Sequence, residues 1–232
     1  MKKINPPILI LNYKTYLLAT GKKALNISKI ADIKAKEYSI NIIIVPQFTD
    51  IYLISQEVDI PVFSQHVDPV LPGKSTGHIT IEAIKEAGAV GSLLNHAERK
   101  ISYEIAKKTY DRMKEFGMIA CICAESVEKA KQLAKISPEF IAFEIPELIG
   151  TGKSISKFSP DKVRESVEQV SCVNKNVIPL TGAGISDGDD VYASLKLGAK
   201  GALVASAFAN SKTPEKVLDS MCKAIIKYLE ES

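Results

Sequence analysis

The sequence predicts a single closed (β/α)₈ barrel, and three observations carry that prediction. Eight short β-branched apolar runs recur along the chain, amphipathic stretches lie between them, and no linker rich in Pro, Gly or Ser divides the series. The runs fall at residues 8–13, 42–46, 62–66, 91–95, 118–123, 140–144, 177–181 and 202–205. They are continuous apolar segments rather than strict alternations, as parallel strands covered on both faces require. Helical patterns occupy the intervals, for example 24–38, 101–116, 127–136 and 214–229. In the last, Val217, Leu218, Met221, Ala224, Ile225 and Tyr228 recur at helical spacing with charges between them. Ser159-Pro160-Asp161 and Thr213-Pro214-Glu215 are helix starts, each with a capping hydroxyl before a proline at the first position. Strand and helix in alternation imply parallel crossovers, and eight undivided units suit a closed ring spanning 1–232 as one domain. An open doubly wound sheet would usually carry a glycine-rich loop after its first strand. Here that strand runs into Asn12-Tyr13-Lys14-Thr15, without glycine.

Composition narrows the function. The chain has 232 residues, 46% hydrophobic and 25% charged, with a formal charge of only +3. Its lysines are scattered rather than gathered into the stripe that nucleic-acid binding needs, so no nucleic-acid partner is expected. Cys121, Cys123, Cys172 and Cys222 have neither zinc-ligand spacing nor the density of a disulfide framework, which points to a reducing cytoplasm. The apolar stretch after the basic N-terminus is too short for a signal peptide, and no segment reaches bilayer length.

In a barrel of this kind the active site is built from loops after the strands. The strand ends bring Asn12 and Lys14, Asn95-His96, Glu144, the turn Gly182-Ala183-Gly184-Ile185-Ser186, and Ala205-Ser206 to one mouth. Glu144 closes the apolar run Phe140-Ile141-Ala142-Phe143, where an unpaired carboxylate is costly. The glycine turn and the small residues after strand 8 suit a phosphate, because glycine lets backbone N–H groups approach an anion closely. The substrate would be a small phosphorylated molecule with its reactive end towards His96 and Glu144. Gly73-Lys74-Ser75 and Gly152-Lys153-Ser154 mimic the end of a P-loop but lack its first glycine, Asp68 and Glu147 standing there instead. His66 and Asp68 lack a nearby third metal ligand, so a polar loop is expected rather than a metal site.

The segments Asn12-Tyr13-Lys14, Asn95-His96-Ala97-Glu98-Arg99, the stretch from Phe143 to Gly152 and Gly182-Ala183-Gly184-Ile185-Ser186 resemble triosephosphate isomerase. The compact chain and Asn95 before the histidine look like the archaeal branch of that family. The resemblance covers about residues 8–208 and implies a TIM barrel interconverting dihydroxyacetone phosphate and glyceraldehyde 3-phosphate. It further implies Glu144 as the base, His96 as the electrophile, Asn12, Tyr13 and Lys14 as substrate contacts, and Glu98 as the partner of Lys14. Ile149, Gly184, Ala205 and Ser206 match phosphate-binding positions. Ile145, Pro146, Glu147, Leu148, Ile149, Gly150, Thr151, Gly152 and Lys153 match the mobile lid. No cofactor or metal is implied. A helix opening at Ala97-Glu98-Arg99 would lower the pKa of His96. The segment from Lys74 to Thr80 resembles the loop that inserts into a neighbouring subunit, which implies a homodimer at least, with tetramers usual in the archaeal branch.

Three departures stand out. Ala97 replaces a usual serine, which would remove a hydrogen bond near the catalytic groups. Ile145 replaces a lid proline, and Ala205-Ser206 replaces the glycine pair of longer enzymes. The alternatives are another sugar-phosphate barrel, such as an epimerase, and a barrel that binds a triose phosphate without turning it over.

Overall fold

The computed structural model describes residues 4–148, 151 and 154–231. Eight parallel strands form its sheet: β1 (Ile8–Asn12), β2 (Asn41–Val45), β3 (Phe63–Ser64), β4 (Gly91–Leu94), β5 (Ile119–Ala124), β6 (Phe140–Phe143), β7 (Ile178–Thr181) and β8 (Gly201–Val204). They pair in the order β2-β1-β8-β7-β6-β5-β4-β3. A parallel bridge between Ile44 and Val62, beside the 3.0 Å bond from the Ile44 N–H to the Pro61 carbonyl, joins the two ends into a ring. The helices are α1 (Lys22–Tyr38), α2 (Ile51–Ser55), α3 (Ile81–Glu86), α4 (Tyr103–Glu115), α5 (Val127–Ala134), α6 (Ile155–Phe158), α7 (Pro160–Val173), α8 (Gly188–Lys196), α9 (Ser206–Ala209) and α10 (Pro214–Glu230).

The continuous apolar runs are explained by two cores on opposite faces of one sheet. Ile8 and Ile10 point inward with Ile43, Val45, Phe63, Leu93, Cys121, Phe140, Leu180 and Leu203, filling the ring. Leu9, Leu11, Ile42 and Ile44 point outward under the helices, beside Ile27, Leu218, Met221 and Ile225. Each such aliphatic side chain removed from water contributes about 1.5–3 kcal/mol, so both faces stabilise the ring. Among the described residues no helix is long and apolar enough to cross a membrane.

In the scaffold, β3 and two helix starts differ from expectation. β3 holds two residues rather than the five expected over 62–66. Past Ser64 the chain exchanges ladder bonds for side-chain ones: Ser64 Oγ donates to the His66 carbonyl at 2.6 Å, and Gln65 Nε2 donates to the Lys14 carbonyl at 2.7 Å. Ser159 and Thr213 do precede helices with proline at the start, but neither side chain makes a capping bond. Capping side chains sit instead at Thr80, Ser102, Ser126 and Asp187, each accepting the N–H of the residue three further on.

Candidate active site

Asn12, at the end of β1, accepts the Lys14 N–H on Oδ1 at 2.9 Å. That turn, with the Gln65 bond to the Lys14 carbonyl, holds Lys14 at φ +46°, a conformation that costs a non-glycine residue roughly 1–2 kcal/mol. The bend aims the Lys14 ammonium across the mouth, where Nζ lies 2.7 Å from Glu98 Oε1. Tyr13 goes the other way. Expected among the substrate contacts, it is fully buried behind the strand, its hydroxyl 2.9 Å from Ser28 Oγ and its ring against Phe208. Successive strand side chains point to opposite faces, so Asn12 and Tyr13 cannot both face the mouth.

After β4, Asn95 takes φ +57°, which asparagine tolerates, and is pinned by its amide. Nδ2 donates to the Cys123 carbonyl and Oδ1 accepts the Ile101 N–H, both at 2.9 Å. His96 is thereby fixed on the mouth. Residues 97–99 form a turn rather than the expected helix opening, and the following helix begins at Tyr103. The His96 pKa is nevertheless pushed down to about 4, first by burial and then by the nearby Lys14 charge, against an opposing pull from Glu98. The Glu98 N–H approaches His96 Nδ1 at 3.2 Å. A ring nitrogen that accepts cannot carry the proton of a neutral imidazole, so Nε2 is the donor.

Glu144 follows β6 and continues its ladder, with its N–H donating to the Ala124 carbonyl at 2.9 Å. Its side chain is 1% exposed. Burial raises its pKa to about 8, while the Ala97 N–H, the Lys14 charge and the Cys123 thiol pull the other way. The Ala97 main chain thus favours the charged carboxylate at the position where a side-chain bond was expected to be lost. Glu144 Oε1 has no hydrogen-bond partner. His96 Nε2 stands 3.4 Å from it, a separation without bonding alignment, and a neutral ring makes no ion pair. A buried oxygen left unpaired is costly, and here it faces an imidazole N–H across a narrow gap.

Gly182 permits this arrangement, since a Cβ there would stand 2.8 Å from Glu144 Cγ. Gly184 takes φ +68°, which turns the loop after β7 across the mouth. Asn12, Lys14, His96, Gly182, Gly184, Ala205 and Ser206 line one cleft together with Tyr16, Ile185, Ser186 and Leu203. Leu203 was legible as an inward position of β8. Tyr16 sits in an irregular loop with no periodic signal. Of the lid, Pro146–Leu148 form a 3₁₀ turn, and Thr151 Oγ1 donates to the Leu148 carbonyl at 2.9 Å. Ile149, Gly150, Gly152 and Lys153 lie outside the described residues. His66 Nε2 lies 3.1 Å from Asp68 Oδ1, and the other oxygen of Asp68 accepts the Ile79 N–H. Among the described residues no group of three His, Cys, Asp or Glu could hold a metal ion.

A closed parallel barrel whose strand ends gather a buried carboxyl, a neutral imidazole, an ammonium and a glycine turn has the build of a (β/α)₈ enzyme of proton transfer. The model of the family "Triosephosphate isomerase" matches residues 7–225. Triosephosphate isomerase of Methanosarcina mazei is 42% identical over 219 residues, covering 94% of this chain and 99% of its own. That of Methanocaldococcus jannaschii is 41% identical over 218 residues, covering 94% and 100%. The crystal structure of triosephosphate isomerase from Bartonella henselae shares the fold, with a TM-score of 0.73 at 17% identity over 95% of this chain and 99% of that one. The chain belongs to the triosephosphate isomerase family.

Proposed function

We propose that the chain, acting as one domain over 1–232, interconverts dihydroxyacetone phosphate and D-glyceraldehyde 3-phosphate with Glu144 as the base and His96 as the electrophile. The observation that carries this reading is the unpaired Oε1 of Glu144 facing His96 Nε2 at 3.4 Å, with both side chains buried. A proton on the carbon next to a carbonyl is weakly acidic, so its removal needs a positioned base and a donor at the oxygen that gains charge. The Glu144 carboxylate removes the proton from one carbon and returns it to its neighbour. The His96 Nε2–H donates to the substrate oxygens, and Lys14, held by Glu98, stabilises the enediolate charge. Asn12 orients the substrate at the same wall. The phosphate lies against Gly184, Ala205 and Ser206, with Ile149 contributed by the lid of residues 145–153. Excluding water under that lid strengthens each of these electrostatic contacts. The reaction needs no redox cofactor.

The same reading includes self-association and a cytoplasmic setting. Leu17 and Leu71 are 80% and 68% exposed, apolar surface that a homodimer or tetramer would cover. All four cysteines are free. The test is a coupled assay of the purified protein with glyceraldehyde 3-phosphate beside Glu144→Ala. Rapid turnover is expected, falling by about 10³-fold in the variant. Full activity in a folded Glu144→Ala protein would overturn the assignment of the base, and an inert wild type that still binds the substrate would mark a non-catalytic barrel.

A further inference from the structure

Asp190 is 2% exposed, and the catalytic scheme makes no use of it. It lies in the first turn of α8, which Asp187 already caps by accepting the Asp190 N–H at 3.0 Å. The Asp190 carboxylate is therefore free to reach outward. Its Oδ2 accepts the Ser186 N–H, the last residue of the glycine turn, at 2.8 Å. Its Oδ1 has no aligned hydrogen-bond donor but meets the Lys157 ammonium at 2.7 Å as an ion pair. Lys157 belongs to α6, the four-residue helix directly after the lid segment.

One further contact joins the same two segments, and another ties α6 to the main chain of α8. The Ile155 N–H donates to the Ala183 carbonyl inside the turn at 3.1 Å. Ser156 Oγ donates to the Asp190 carbonyl at 3.3 Å and lies 2.7 Å from Ser154 Oγ. The chain thus leaves the lid and is fastened at once, by Ile155 to the turn that lines the cleft and by Ser156 and Lys157 to Asp190. A carboxylate this deep is costly unless paired, and its two oxygens divide between the two segments.

We infer that Asp190 is a positioning residue that locks the glycine turn after β7 to the C-terminal foot of the lid, so that anion binding and lid geometry are set by one joint. The inference rests on the isomerase reading for the meaning of turn and lid, but the joint itself is testable through inorganic phosphate alone. Asp190→Ala frees the Ser186 N–H and strands Lys157. It should raise KM for glyceraldehyde 3-phosphate roughly tenfold with a smaller change in kcat, because substrate positioning is lost while base and electrophile stay in place. Phosphate affinity should fall in parallel. Asp190→Asn keeps an acceptor for Ser186 and should recover part of the loss.

Lys157→Met, at a half-exposed position, guards against misfolding of the Asp190 variants. It should raise KM about threefold and add little on top of Asp190→Ala, since residues joined in one contact are not additive. Unchanged KM and phosphate affinity in Lys157→Met, or strictly additive losses in the double variant, would overturn the joint. Equal affinities of the alanine and asparagine variants would overturn the role of the Ser186 bond. An inert wild type would count against the isomerase reading, and the phosphate affinities would still decide the joint. Asp189→Asn, an exposed neighbour, is the control expected to change neither.

Discussion

The mouth of the barrel and the helical flank near its base each bury carboxyl groups, and treat them in opposite ways. On the flank, Asp32 Oδ1 accepts the N–H groups of Asp59 and Ile60 at 3.0 and 3.2 Å, and Oδ2 meets the Lys36 ammonium at 2.7 Å. Both oxygens are occupied, and the group pins α1 to the loop before β3. At the mouth, Glu144 is buried more deeply, yet one of its oxygens is unpaired and its proton is held up to about pH 8. A satisfied carboxylate fastens structure, whereas an unsatisfied one keeps reactivity at the expense of stability. The two regions therefore respond in opposite directions to loss of the acid.

The largest effect belongs to Glu144→Gln. Because the folded-state pKa lies above the unfolded one, the folded protein holds a proton that the unfolded chain gives up. The wild type accordingly loses stability as pH rises from about 4.5 to about 8. The glutamine variant has no such loss. It should match the wild type in denaturant titrations near pH 4 and exceed it by on the order of 5 kcal/mol near pH 9, while turnover collapses. A variant less stable than wild type at alkaline pH would break the contrast. Asp32→Ala is the reciprocal case. It should cost about 2–3 kcal/mol by leaving two backbone donors unpaired and taking from Lys36 one of its two carboxylate partners, with kcat and KM unchanged. A change in catalysis there would show that the flank is coupled to the mouth. The smallest effect is expected of Tyr13→Phe. Removing the hydroxyl that meets Ser28 should cost about 1 kcal/mol in thermal unfolding. KM should be unaltered, since Tyr13 packs behind the strand; a raised KM would return it to the substrate contacts.

The strands were readable because each is apolar on both faces, and the inward and outward sets, such as Ile8 and Ile10 against Leu9 and Leu11, follow from a period of two. Strand ends also made Asn12, Lys14, His96 and Glu144 legible as neighbours, since a closed parallel ring brings all its C-terminal ends to one rim. What escaped depends on side-chain bonds that no periodicity records. The shortening of β3 depends on Ser64 and Gln65 replacing ladder bonds. The period of two did record the orientation of Tyr13, which falls on the outward face with Leu9 and Leu11. The pKa of His96 is set by burial and Lys14, not by a helix start, and Asp190 looked like one more acid in an acidic first turn.

The ring itself has two thin joints. Six of its eight joints are ladders of two or more paired residues, whereas β7 and β8 share one pair, Thr181 with Ala202, and β2 and β3 one bridge, Ile44 with Val62. In the paired strip β2 and β3 are the ends, and Asn12, His96 and Glu144 ride on β1, β4 and β6 within it. Gln65 just past β3 holds the Lys14 carbonyl, and the β7–β8 joint lies directly below the glycine turn and Ala205-Ser206, so a wall that yielded at either joint would shift groups on the rim.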